Sequence, residues 1–370
     1  MSEHTGATDG PGAAHDMVDW DLAANTARTL AGPGPEVTSE QAEQTVAQLK
    51  AFIDDAEGLV RDVTGLDGSG TNGRAPLFVV DRGGWSKANS ESMRTLVAPL
   101  MEKMGRRRTG GFLDQIGPKV TGVEAGAVLA FLSTKVLGQF DPFWNGGEAG
   151  RLLLVAPNIV QVERELKLDQ RDFRLWVCLH EETHRVQFTA VPWLRDHMRE
   201  RIGTLTAATD VDASEMWSRL RDLARALIDT ARHPGEGPSL LDAIQTPEQK
   251  VVVDELTAVM SLLEGHADVV MDRVGPAVIP TVATIRAKFG KRRAGASGLD
   301  RVARRILGMD AKMRQYRDGA KFVNGVVERV GMDGFNRVWA EPGNLPNLEE
   351  ISDPAAWVRR VHATPAALTD

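Results

Sequence analysis

Two histidines and two glutamates lie within five consecutive residues near the middle of the chain. The segment reads His180-Glu181-Glu182-Thr183-His184, with the histidines four residues apart. On an α-helix, residues at this spacing lie one above the other, about 5–6 Å apart at Cβ. Two imidazoles placed in that way can bind one tetrahedral zinc ion at about 2.0–2.1 Å. The spacing therefore predicts that His180 and His184 are zinc ligands.

Glu181 directly follows the first histidine, and it therefore borders the predicted metal without binding it. From there its carboxylate can take a proton from a zinc-bound water and return it to a leaving group. The surrounding helix is apolar, and burying two histidines and two glutamates in it is costly unless a metal binds them. We predict that Glu181 is the general base; the alternative is that the segment forms a solvated helix face.

A third ligand must come from elsewhere, because catalytic zinc sites normally take three ligands from the protein. The metzincin extension of the motif is absent: Gln187 stands where it needs glycine and Ala190 where it needs histidine. Another predicted core helix carries Glu264 and Asp268 four residues apart on one face. We predict Glu264 as the ligand and Asp268 as the acceptor of a hydrogen bond from a ligating imidazole. The alternative ligands are Asp268 itself and His266, which lies about 200° from Glu264 around the helix. Glu255 also competes, but it lies about 180° from Glu264 and is predicted to face solvent.

The chain contains a single tyrosine, Tyr316, in another predicted helix. Amide hydrolysis through a tetrahedral intermediate needs a hydrogen-bond donor to the developing oxyanion, and a tyrosine hydroxyl can fill that role. Tyr316 is therefore a second predicted catalytic residue. The alternative is an ordinary position on an amphipathic helix.

Helices must position these side chains, because apolar residues recur at three- and four-residue intervals along most of the chain. The predicted helices include residues 18–30, 39–63, 169–188, 251–272 and 310–330. Two short runs rich in β-forming residues, 76–81 and 151–156, predict strands that pair into a small sheet. The sequence thus predicts a mainly α (α+β) fold. Gly265, beside Glu264, is predicted to permit close helix packing.

The organisation of the chain is predicted to be simple. Residues 1–16 lack the basic start and apolar centre of a signal peptide and predict a disordered tail. Residues 17–370 predict a single compact unit, because no change in composition marks a boundary. Within it, residues 17–150 form an N-terminal subregion and residues 151–370 a helical metal-site region.

Composition excludes several classes of protein. The 370 residues include 44 Lys+Arg and 51 Asp+Glu, a net charge of −7, which argues against a nucleic-acid partner. The short basic segments 106–108 and 291–305 are predicted to be solvated loops. The single cysteine excludes an internal disulfide and a cysteine-rich zinc site. No apolar run approaches the roughly 18 residues of a membrane span, and we predict a cytoplasmic protein without a membrane partner.

Several stretches resemble a known family. They are Gly138-Gln139-Phe140-Asp141-Pro142, Val155-Ala156-Pro157-Asn158, the run from Phe173 to His197, Glu264-Gly265-His266-Ala267, Gln315-Tyr316, Gly319 and Phe322-Val323. Over residues 75 to 362 the chain resembles an actinobacterial group of zinc-dependent metalloproteases or hydrolases (DUF2342, zincin-like), some of whose members are associated with coenzyme F420 biosynthesis.

The resemblance implies a zincin-like fold, with His180, His184 and Glu264 as ligands and Glu181 as the base. Glu264 and Asp268 look like the E-x-x-x-D element of the glutamate zincins, although about 80 residues separate His184 from Glu264. Residues 138–142 are predicted to form a structural turn, or alternatively a loop beside the cleft.

The leading prediction is a zinc-dependent hydrolase, a gluzincin-like metallopeptidase, that binds one zinc ion and takes a peptide substrate. A zincin usually holds an extended peptide against a sheet edge, and one of the predicted strands would have to supply that edge. The first alternative is hydrolysis of a small-molecule amide, which the same site chemistry would serve. The second is a non-catalytic, zinc-stabilised scaffold.

Overall fold

A computed structural model describes residues 18–67, 74–105, 112–207, 247–294 and 309–363 of the chain. Helices make up most of this part, and its strands form one small sheet, which confirms the predicted mainly α (α+β) class. In chain order the helices are α1 (Trp20–Leu30), α2 (Ser39–Thr64), α3 (Arg82–Gly105), α4 (Phe112–Ser133), α5 (Ala156–Glu165), α6 (Gln170–Ala190), α7 (Pro192–Ala207), α8 (Pro247–Val278), α9 (Val282–Ala294), α10 (Met309–Phe335), α11 (Leu348–Ser352) and α12 (Pro354–His362). Two short 3-10 helices, Asn336–Trp339 and Pro342–Asn344, connect α10 to α11.

The sheet has three strands in the order β1-β3-β2: β1 (Leu77–Val80), β2 (Gly138–Asp141) and β3 (Arg151–Val155). β1 runs parallel to β3, with Leu77 opposite Leu152. β2 runs antiparallel to β3, with Gly138 opposite Leu154. The central strand β3 is buried along its whole length. The predicted strands over 76–81 and 151–156, and their pairing, are confirmed.

The prediction of a turn over residues 138–142 is wrong, because Gly138–Asp141 form the edge strand β2. These four residues include no β-branched side chain, so their sequence carries little strand signal. The strand forms because the buried backbone of β3 needs hydrogen-bond partners on both sides. Its position is therefore decided by tertiary pairing rather than by local preference.

Polar side chains tie β2 to helix α3. The amides of Gln139 and Asn89 exchange two hydrogen bonds of 3.0 and 3.2 Å. The indole nitrogen of Trp85 also donates to Gln139 Oε1 at 2.7 Å. On the neighbouring strand, Arg151 Nε donates to the buried carboxylate of Asp141 at 3.0 Å. These contacts hold the edge strand in one place.

Helix α6 is buried along most of its length and confirms the helix predicted over residues 169–188. It begins where the Asp169 carboxylate accepts a hydrogen bond from the Asp172 backbone nitrogen, an N-cap that satisfies one of the free donors of the first turn. Its apolar residues share one buried cluster with side chains from α2, β3 and α8, including Leu49, Ile53, Leu152, Leu154 and Val270. The helix that carries the two predicted histidine ligands is thus fixed from several sides.

Helix α8 is longer than the helix predicted over 251–272. It extends from Pro247 to Val278, with a kink at Gly275, whose φ of 68° lies in the left-handed region that favours glycine. Helix α10 crosses it very closely: a Cβ added to Gly265 would lie 2.1 Å from the carbonyl carbon of Gly319. The predicted role of Gly265 in close helix packing is confirmed.

Several predictions fall on other parts of the chain. The predicted tail over residues 1–16, the basic segment 106–108 and residues 295–305 lie outside the described residues. Residues 291–294 are the end of helix α9, so the loop predicted over 291–305 is wrong for these four residues. Among the helices that are described, none combines the length and the apolar character needed to cross a bilayer.

Candidate metal centre

The two motif histidines present the same ring nitrogen to each other. His180 Nε2 lies 3.2 Å from His184 Nε2, and the ring planes stand at 89° with centroids 4.7 Å apart. The i, i+4 spacing on α6 places the rings side by side, as predicted. Two nitrogen lone pairs can therefore point at one position between the rings.

Glu264 on α8 completes the cluster. Its Oε2 lies 3.6 Å from His180 Nε2, and its Oε1 lies 3.6 Å from His184 Nε2. At zinc–ligand distances of about 2.0–2.2 Å, two tetrahedral ligand atoms are roughly 3.3 Å apart. Two imidazole nitrogens and a carboxylate oxygen are also a known ligand set of catalytic zinc. The residues present thus fit zinc in both spacing and chemistry.

These three residues form one group in which all the ligand atoms lie within 4.8 Å of one another. No second group of this kind occurs in the described parts of the chain. The side chains of His180, His184 and Glu264 are 20%, 12% and 30% exposed. Because the cluster reaches the surface, a substrate or water can approach it, which a closed structural zinc site would not allow.

Glu181 lies on the buried side of the cluster, against the edge strand β2. Burial raises the pKa of its carboxyl well above the ordinary value, and the negative charge of Glu264 raises it further. A Cβ added to Gly138 would lie 2.5 Å from Glu181 Cγ and 2.8 Å from its Oε1. Only glycine at position 138 leaves room for the Glu181 side chain where it stands.

The outer nitrogen of His184 is hydrogen-bonded to Gln187, one turn further along α6. His184 Nδ1 lies 2.9 Å from Gln187 Oε1. The predicted acceptor Asp268 instead has its carboxylate 3.9 Å from the Arg286 guanidinium. Asp268 is therefore not the partner of His184, and it stays a prediction as the partner of His180.

His266, the alternative ligand, lies outside the cluster. Its ring is fully buried and packs against Phe335 and Trp339, with centroid distances of 5.3 and 5.5 Å. Burial lowers the pKa of His266 to about 3, so the ring is neutral. Its Nδ1 lies 3.0 Å from Gln187 Nε2.

Tyr316 belongs to helix α10, three residues before Gly319. The backbone of α10 passes α8 at Gly265, the residue that follows Glu264. The side chain of Tyr316 lies outside the described part of the structure, so its predicted role at the oxyanion stays a prediction.

Sequence reasoning missed two residues that contact this site. Gln187 appeared only as the residue that breaks the metzincin pattern, although its position three residues after His184 is a signal that it shares a helix face with that ligand. Gly138 was considered only as part of residues 138–142, as a structural turn or alternatively a loop beside the cleft, and its contact with Glu181 depends on where β2 packs.

Comparisons with known proteins identify a family and a similar solved structure. The model of the zincin-like metallopeptidase family matches residues 18–358. A crystal structure from Chloroflexus aurantiacus, described as "a putative hydrolase with a novel fold", shares 30% sequence identity with a TM-score of 0.67. The match covers 94% of this chain and 99% of that chain. No curated protein matches the chain. Because the family match spans nearly the whole sequence, the chain belongs to the zincin-like metallopeptidase family.

Proposed function

We propose that the chain is a zinc-dependent peptidase in which His180, His184 and Glu264 bind the metal and Glu181 is the general base. The observation that carries the proposal is the convergence of the three ligand atoms within 4.8 Å, with a buried carboxylate beside them. Membership in the zincin-like metallopeptidase family supports the same activity.

When bound, zinc would supply a Lewis acid that polarises the scissile carbonyl and lowers the pKa of the attacking water. The protein residues move the proton. The Glu181 carboxylate takes it from the attacking water and gives it to the amide nitrogen as the carbon–nitrogen bond breaks. Its carboxyl group holds the proton between the two transfers, and its burial beside the cluster keeps that proton from bulk water.

A peptide is favoured over a small amide because a strand edge lies beside the base. β2 is one of the two edge strands of the described sheet, and its first residue, Gly138, contacts Glu181. An extended peptide can add to such an edge through backbone hydrogen bonds. A small amide would not use this edge, so the two substrate classes can be separated by measurement. The finer resemblance, to the actinobacterial group with its F420-associated members, stays a prediction.

The proposal is tested with zinc analysis and turnover assays on the unaltered chain and on Glu181→Gln. We expect one zinc per chain in both proteins, and a turnover of unstructured peptides that is about 10²–10⁴-fold lower in Glu181→Gln. Glu255→Gln is the matched control, because Glu255 lies on α8 with its side chain 47% exposed. It should keep both zinc and turnover.

Three outcomes contradict the proposal. If the unaltered chain binds no zinc, the proposed metal site is wrong. If Glu181→Gln turns peptides over as fast as the unaltered chain, Glu181 is not the general base. Turnover of small N-acyl amides with none of peptides supports the alternative, a small-molecule amide hydrolase.

A further inference from the structure

The side chain of Gln187 contacts both helices that carry the proposed ligands. It is fully buried on α6, where its Oε1 lies 2.9 Å from His184 Nδ1. Its Nε2 lies 3.0 Å from the carbonyl oxygen of Leu263 and 3.0 Å from His266 Nδ1. Leu263 directly precedes Glu264 on α8. One amide group therefore joins the imidazole of His184 to the backbone beside the third ligand.

The partners of this amide determine which way it points. A backbone carbonyl such as that of Leu263 can only accept a hydrogen bond, so the atom that faces it must be the amide NH₂ group. The amide oxygen then faces His184, and because it only accepts, the proton must lie on His184 Nδ1. A neutral imidazole protonated at Nδ1 has its lone pair at Nε2, the atom that faces His180 and Glu264.

The second proton of the amide group goes to His266. Its Nδ1 must accept this hydrogen bond, and the ring is held in place by the aromatic rings of Phe335 and Trp339. Gln187 thus has a rigid acceptor on one side and a backbone acceptor on the other. Its oxygen has no freedom to turn away from His184.

We propose that Gln187 is a positioning residue of the metal centre, which holds His184 in the tautomer that can bind zinc and fixes the spacing between α6 and α8. The inference rests on the proposed zinc site. Partners of this kind, which bond to the outer nitrogen of a ligating histidine, typically change metal affinity by about 10–100-fold when removed.

The variant that tests this role is Gln187→Met, which keeps an unbranched side chain of similar length and removes both the acceptor and the donor. Thr183→Val is the matched control. Thr183 is buried on the same helix next to His184, and its hydroxyl donates to the Leu179 carbonyl at 2.7 Å. Both variants lose a buried hydrogen-bonding side chain, but only Gln187→Met loses the contact with a ligand.

The first measurement is the position of the ring proton on His184, by ¹⁵N NMR of the zinc-free, unaltered chain, with His184→Ala used to assign the signals. We expect the proton on Nδ1, and we expect Gln187→Met to shift it in part to Nε2. This measurement needs no substitution to be informative: a proton on Nε2 in the unaltered chain overturns the inference even if Gln187→Met does not fold.

The second measurement is zinc affinity, by competition with a coloured chelator. We expect Gln187→Met to bind zinc about 10–100-fold more weakly than the unaltered chain, and Thr183→Val to bind it as the unaltered chain does. Equal affinity in Gln187→Met overturns this inference and leaves the proposed function standing. Failure of the unaltered chain to bind zinc overturns the proposed function as well.

Discussion

The candidate centre has a helix side and a strand side, and they act on the site in different ways. The helix side, α6 and α8, supplies the atoms that would bind zinc, and it holds them through buried packing and the Gln187 amide. The strand side, β2, supplies space: Gly138 has no side chain, and Glu181 lies against its backbone. We expect from this comparison that β2 affects proton transfer without affecting metal binding, although the proposed base Glu181 is itself a residue of α6.

The two sides also differ in how they are anchored. α6 lies in the apolar core, where residues from α2, β3 and α8 surround it. β2 is a four-residue edge strand held by polar contacts from Gln139 to Trp85 and Asn89. Changes to the three ligands or to Gln187 on the helix side should therefore weaken zinc binding, whereas changes on the strand side should leave zinc bound and reduce turnover.

The largest effect is expected from His184→Ala on the helix side. Two protein ligands would remain, and zinc affinity should fall by more than the roughly 10–100-fold expected when an outer hydrogen-bond partner is lost. Zinc analysis after gel filtration should find the metal absent, and peptide turnover should be lost with it. His197→Ala on α7 is the matched control and should keep both. If His184→Ala retains one zinc per chain, the metal does not bind at this cluster.

An intermediate effect is expected from Gly138→Ala on the strand side. The new Cβ would stand 2.5–2.8 Å from three atoms of Glu181, so that side chain must move. A misplacement of about 1 Å can lower turnover about 10²-fold. Zinc should remain at one per chain, because the three atoms nearest to the new Cβ all belong to the base, Glu181.

The matched control for Gly138→Ala is Gly58→Ala on α2, where a Cβ would meet nothing within 4 Å. That variant should keep full turnover. If Gly138→Ala loses zinc in proportion to turnover, the proposed separation between the helix side and the strand side is wrong. Unchanged turnover would mean that Glu181 can work from a second position.

The sequence predicts the helix side well because the spacing of its polar residues along a helix indicates which of them lie together. His180, Glu181 and His184 share one short motif, and the acidic residue at 264 stands out on an apolar helix face. The spacing within one helix survives folding, so residue types four apart remain neighbours in the structure. We predicted that α6 and α8 converge because zinc needs a third ligand. That requirement comes from the chemistry of the metal and not from the local sequence pattern.

The strand side could not be predicted in the same way. Gly138 contacts Glu181, 43 residues further along the chain, only because β2 pairs with β3 and packs beside α6. No periodicity within four residues encodes such a contact. Gln187 is an intermediate case: its place near His184 follows from helical spacing, but its bonds to Leu263 and His266 depend on how α8 packs.

The smallest effect, expected in stability rather than in the chemistry, comes from Gly265→Ala at the crossing of α8 and α10. Alanine favours a helix over glycine by about 0.8–1.0 kcal/mol. Against this gain, the new Cβ would meet the carbonyl carbon of Gly319 at 2.1 Å and the backbone nitrogen of Ala320 at 2.5 Å. Backbone atoms cannot turn aside as a side chain can, so the helices must separate, at a cost of roughly 1–3 kcal/mol for overpacking.

Gly203→Ala on α7 is the matched control, because it has the higher helix propensity of alanine without the close crossing of two helices. Gly203 is also helical, and a Cβ there would meet nothing within 4 Å, so this variant should gain about 0.5–1 kcal/mol. The free energy of unfolding, measured in urea, should then differ between the two variants by roughly 1–3 kcal/mol. Zinc should bind more weakly to Gly265→Ala, because Glu264 moves with α8. Equal stabilisation of both variants would show that α8 and α10 can move apart without cost. The position of Glu264 would then depend on α6 and the Gln187 amide and not on the crossing.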